Sequence, residues 1–155
     1  MSSGASLTDG GGAKVPRFMP WRKATLVWLL IIVVESVHGV LRNVFVAPAI
    51  GDFEARQAGV FIGSALILLI AWLTAPWLNL NGRGQFAGVG LLWVGLTLAF
   101  EFSLGVAMGL SWERITSDYH IAKGGLLPLG LVVMAIAPYA GARLRGNGVT
   151  GTRKR

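Results

Sequence analysis

Four ionisable side chains stand inside otherwise apolar sequence. Glu35, His38 and Arg42 lie in "LVWLLIIVVESVHGVLRNVFVAPA", and Glu101 lies in "LAFEFSLGVAMGL". An acid, an imidazole and a guanidinium held together can relay a proton, grip the polar end of a ligand, or pair into a clasp that fixes helix register. The spacing puts them on one face. At 3.6 residues per turn, His38 is rotated about 60° and Arg42 about 20° from Glu35. The Leu, Ile, Val and Phe residues of this run return roughly 4–8 kcal/mol on insertion, and a buried acid or base costs about 3 kcal/mol. The polar face must therefore point into a protein interior or a wet cavity. Glu101 is its expected partner, with Arg42 reaching across to it, and Thr97 and Gly105 flank Glu101 on its own face. The predicted site is thus Glu35, His38, Arg42, Thr97 and Glu101, binding or conducting a small ligand or proton. The competing reading is a buried ion pair in which Arg42 bridges the two glutamates.

Other chemistries fit less well. Glu35-x-x-His38 has the spacing of di-iron carboxylate bundles, with Glu101 as a third and His120 as a fourth candidate ligand. The matching segment "EFSLGV" places Leu104 where a second histidine would stand, and Arg42 would repel a metal ion. Haem held by His38 and His120 would need two histidines at different depths. The chain has no cysteine, which excludes disulfides, thiolate nucleophiles and iron–sulfur ligation. Ser36 and Ser103 stand alone on apolar helices, without a base. No cofactor is expected, and a non-enzymatic role is favoured over catalysis.

The elements that must position these residues are legible from hydropathy. The chain has 155 residues, 54% hydrophobic and 14% charged, with a mean hydropathy of +0.62. Apolar runs cover residues 24–46, 59–80, 86–110 and 124–142, each about the ~20 residues that cross a bilayer as a helix. The expectation is an all-α integral membrane protein, a four-transmembrane-helix bundle over residues 21–145. A polar, disordered segment over 1–20 precedes it and a basic tail over 146–155 follows. Lys14, Arg17, Arg22, Lys23, Arg83, Arg143, Arg145, Arg153, Lys154 and Arg155 fall on one side of such a bundle. Arg56, Arg114 and Lys123 fall on the other, among Asp52, Glu54, Glu113 and Asp118. Positive charge marks the cytoplasmic face, so both termini are expected there. The first span is too long and too interrupted for a cleaved signal peptide and reads as a retained anchor. The tail "TGTRKR" suits anionic headgroups, and no nucleic-acid partner is expected.

A faint repeat, "ESVHGV" beside "EFSLGV" and "LILLIAWLTAP" beside "LGLVVMAIAP", suggests two tandem helical hairpins about an axis along the membrane normal. The outer segment "LSWERITSDYHIAKGG" supplies Trp112, Arg114, Asp118 and His120 as candidates for a cavity mouth, or Trp112 and Tyr119 as interfacial anchors. Trp21, Trp77 and Tyr139 read as the inner aromatic belt. Through "ESVHGVLRNVFVAPAIGDFEARQ", "GVFIGS", "SWERITSDY" and "ARLRG" the chain resembles small uncharacterised four-pass proteins of bacterial inner membranes. That resemblance covers roughly residues 24–146 and implies a bacterial inner membrane but no activity. The bilayer is the one certain partner on this reading. The 22 glycines permit close helix packing, which also suits a homo-oligomer or an accessory subunit of a larger membrane complex.

Overall fold

The computed structural model describes residues 20–121 and 125–146. They are built from helices, with no strand among them. The polar N-terminal segment and the basic tail beyond Gly146 lie outside the described residues. Four helices are long and apolar enough to cross a membrane: Trp21–Ile50, Asp52–Leu78, Arg83–Ala107 and Leu127–Leu144.

The first of these is compound. An α-helix, α1 (Trp21–Leu41), leads into a π-helical turn over Arg42–Val46 and then a short α2 (Ala47–Ile50). Pro48 does not end the helix. It has no N–H, and its ring crowds the carbonyl four residues back, on Val44. One widened turn absorbs the conflict: the Ala47 N–H bonds the Arg42 carbonyl instead of continuing the tighter α ladder. Termination falls to Gly51, whose φ of 95° breaks the path.

The next helix, α3 (Asp52–Leu78), begins well before the expected Gly59. Its polar start, which reads as loop, is favourable at a helix N-terminus because Asp52 and Glu54 oppose the dipole. Arg56 Nη2 also lies 3.5 Å from Asp52 Oδ2 one turn on. Pro76 sits inside α3, and Asn79 ends it in the left-handed conformation. α4 (Arg83–Ala107) follows a tight turn through Gly82. A short α5 (Trp112–Thr116), capped by Ser111 Oγ accepting from the Arg114 N–H, lies over the far end. α6 (Leu127–Leu144) completes the bundle.

Neighbours around the bundle run α1, α3, α6, α4. Each expected hairpin is an adjacent pair. A two-fold axis, however, would set α1 across from α4 and α3 across from α6, and both of those pairs are neighbours instead. Sequence echoes in apolar helices do not by themselves impose that symmetry.

Packing is uneven along the bundle, and that unevenness positions the site. The buried core lies toward the termini: Ala24, Val27, Trp28 and Ile31 of α1, Ile67, Ile70, Ala71 and Leu78 of α3, Val89 and Trp93 of α4, Met134 and Ala137 of α6. Indoles lace α1 to α4. Trp93 Nε1 donates to the Ala24 carbonyl at 2.9 Å, and Trp28 Nε1 donates to Thr97 Oγ1 at 3.0 Å. Two glycines set the seams with α6. A Cβ on Gly90 would strike the Ala135 carbonyl, and one on Gly141 would lie 2.7 Å from the Ala71 carbonyl carbon. Toward the opposite end the helices separate around a cavity.

At the terminal end Arg145 repairs what Pro76 breaks. Without a proline N–H the Trp72 carbonyl loses its helical donor. Arg145 Nη1 donates to it at 3.1 Å, and its guanidinium stacks 4.9 Å from the Trp72 ring centroid. Lys23 likewise donates to the Trp77 carbonyl at 2.9 Å and lies over that indole. Arg145→Ala is expected to destabilise the purified protein by about 1 kcal/mol, read as an earlier unfolding transition in detergent. Arg145→Lys should recover only part, because an ammonium has no plane to stack. Equal stability of all three proteins would contradict the cap.

Candidate functional site

The polar face of α1 lies on a groove in α3. Gly59 and Gly63, one turn apart, form a G-x-x-x-G step whose missing side chains leave room for the neighbouring helix. A Cβ on Gly63 would stand 2.7 Å from Glu35 Oε2 and 3.2 Å from Oε1. One on Gly59 would stand 2.9 Å from Arg42 Cδ and 3.7 Å from His38 Cε1. Gly39, within the polar stretch itself, faces open space. Gly105 lies under the Ile115 side chain of α5. The signal for the true step, "GVFIG", is present in the sequence but carries no polar residue to draw attention.

Within the groove, His38 Nδ1 lies 3.4 Å from Glu35 Oε2. The other carboxylate oxygen, Glu35 Oε1, is buried without a hydrogen-bond partner, and so are Arg42 Nε and Ser64 Oγ. Arg42 Nη2 donates to Asn43 Oδ1 at 3.2 Å. Arg42 makes no ion pair with Glu101, so the expected bridge between the glutamates is not formed. The guanidinium instead lies along Gly59 of α3. Arg42→Ala and Glu101→Gln are accordingly expected to change stability additively, within about 0.5 kcal/mol. A double-mutant cycle with a larger coupling would restore the clasp.

All five predicted residues line one cavity of about 600 Å³, in the range of ligand sites. Glu35, His38 and Arg42 form one wall, and Phe100 and Glu101 of α4 contribute to another. Thr97 is part of the floor, and its hydroxyl is engaged on both sides. It accepts from Trp28 Nε1 and donates to Met134 Sδ at 3.2 Å. Glu101 is exposed and also lines a smaller neighbouring cavity of about 140 Å³ with Arg114 and Tyr119. Apolar lining comes from Ile67, Leu127, Leu131 and Met134.

The predicted mouth residues are placed differently. Between α4 and α6, the described residues that line the large cavity are Leu110, Ser117, Gly125 and Leu126. Trp112 is exposed and stacks on Phe102, which stacks in turn on Tyr119, each at 5.8 Å between centroids. Arg114 borders only the smaller cavity and donates to Ser117 Oγ at 3.0 Å. His120 is exposed, its Nδ1 2.9 Å from the Thr116 carbonyl. The Asp118 side chain lies outside the described structure. The i, i+3 pair of Glu35 and His38 does come together, but no third His, Asp or Glu joins it in a metal-ligand group among the described residues. Neither Glu101 nor His120 is brought to it as a ligand. No protein-family model, curated protein or solved structure matches this chain.

Proposed function

We propose that the chain is a non-enzymatic multi-pass protein of a bacterial inner membrane whose cavity binds a small amphipathic ligand. The reading is carried by one observation: a roomy cavity is faced by an acid, an imidazole and a guanidinium in which buried donor and acceptor atoms are unmet. A buried polar atom without a partner costs about 1–3 kcal/mol, and a bound ligand would remove that cost. A mixed lining, with Glu35, His38 and Arg42 facing the apolar Leu127, Leu131 and Met134 of α6, suits a molecule with one polar end.

Native mass spectrometry of protein extracted from its own membranes tests this. The wild type should carry a small-molecule adduct, and Gly63→Leu, which fills the groove under Glu35, should lose it while remaining folded. A bare wild-type protein, or an adduct indifferent to Gly63→Leu, would overturn the reading.

The concentration of basic residues on one side of the bundle supports a topology with both termini cytoplasmic. Because the chain lacks cysteine, single substitutions report sidedness cleanly. Ser111→Cys should react with an impermeant maleimide added to whole cells or spheroplasts, and Asn81→Cys only after lysis. The opposite pattern would invert the topology.

A further inference from the structure

The geometry points to a zwitterion of the phosphoethanolamine class as the ligand, its phosphate on Arg42 and its primary ammonium on Glu35. This rests on the cavity being a ligand site. Arg42 Nε needs an acceptor and Glu35 Oε1 needs a donor. A simple cation would leave Arg42 unsatisfied and be repelled by it; a simple anion would meet the same obstacle at Glu35. A proton on Glu35 would leave Arg42 Nε buried and bare. One molecule carrying an anionic acceptor and an N–H donor meets both needs.

The separation is also defined. Arg42 is seated at Gly59 and Glu35 at Gly63, positions about 6 Å apart along α3. That is the reach of an anionic oxygen and an ammonium joined by an extended ethanolamine link. Depth agrees with a headgroup entering from the non-cytoplasmic side. Counting about 1.5 Å per residue from Ala24, the Arg42 backbone stands about 27 Å and the Glu35 backbone about 16 Å into the span, and it is their side chains that converge on Gly59 and Gly63. The hydrocarbon core is roughly 30 Å thick. Arg42 is therefore close to the level of the outer phosphates, and Glu35 waits below it.

The groove further discriminates between amines. A quaternary ammonium has no N–H to donate to Glu35 Oε1 and would leave that buried acceptor unmet. Primary amines should bind and trimethylated ones should not.

The test is lipid retention by native mass spectrometry, with protein reconstituted in nanodiscs of equal phosphatidylethanolamine, phosphatidylcholine and phosphatidylglycerol. Phosphatidylethanolamine is expected to be retained about tenfold over phosphatidylcholine, with mono- and dimethylated headgroups intermediate. Glu35→Gln should erase the amine preference, and Arg42→Gln should weaken both zwitterions together. Gly63→Ala, which keeps both charges, should reduce retention as well. A second arm adds soluble O-phosphoethanolamine to detergent-purified protein. A rise in unfolding temperature that requires Glu35 assigns the free compound as a source; retention of the lipid alone assigns the bilayer. Equal retention of choline and ethanolamine lipids, or preference for phosphatidylglycerol, overturns the zwitterion while an adduct lost in Gly63→Leu still upholds the cavity. Absence of any adduct overturns both.

Discussion

Glu35→Leu is expected to stabilise this protein while abolishing ligand retention. Leucine has nearly the glutamate's length and fits against Gly63 without the carboxylate. On insertion scales, exchanging a mid-helix acid for leucine is worth about 3 kcal/mol, and the substitution removes the unpartnered Oε1 atom. The bond lost is the 3.4 Å contact to His38, long enough to contribute little. A structural clasp behaves the other way, because removing one partner of a working buried pair costs about 3–5 kcal/mol. The unfolding transition of Glu35→Leu in detergent therefore separates the two roles by sign. A later transition with no adduct marks a site that trades stability for binding; an earlier transition marks a clasp.

Gly90→Val should be among the most damaging single substitutions in the chain. Added side-chain atoms would meet the Ala135 backbone, with its carbonyl carbon 2.9 Å and its Cα 3.2 Å from the new Cβ. Backbone cannot swing aside as a flexible side chain can, so α4 and α6 must part. Separation would expose Val89 and Trp93, both fully buried. Overpacking of side chains alone costs about 1–3 kcal/mol, and a backbone clash on a helix seam should reach at least the top of that range. Folded yield after solubilisation should collapse. Gly95→Ala is the matched control: a Cβ there meets nothing within 4 Å, and alanine is favoured in a helix by about 1 kcal/mol. Wild-type yield from Gly90→Val would mean that the α4–α6 seam is not as close as described.

Much of this arrangement is legible from composition and spacing. Length and hydropathy of the four runs suffice for the four long helices, because few other structures satisfy so many consecutive apolar residues. The 35/38/42 spacing suffices to place three polar groups on one helix face, and Glu101, expected as their partner, lines the same cavity. Pairing within that cavity is a different matter. Which side chain Arg42 meets depends on the local widening caused by Pro48 and on the lateral position of α3, and neither follows from the period of α1 alone. Asp52 and Glu54 read as loop because hydropathy is blind to their stabilising role at a helix start. The G-x-x-x-G step escapes attention for a similar reason. Glycines are informative only once the neighbour is known, and among 22 of them Gly59 and Gly63 have no mark of their own. Thr97 lines the cavity floor, yet its bonds to Trp28 and Met134 make it part of the scaffold.

The most direct test of the binding site is an experimental structure of the protein crystallised from a lipidic phase containing phosphatidylethanolamine. Continuous density bridging Glu35 Oε1 and Arg42 Nε, seated over Gly59 and Gly63, is the expected result. A closed cavity with Arg42 turned onto the Glu101 carboxylate would contradict it.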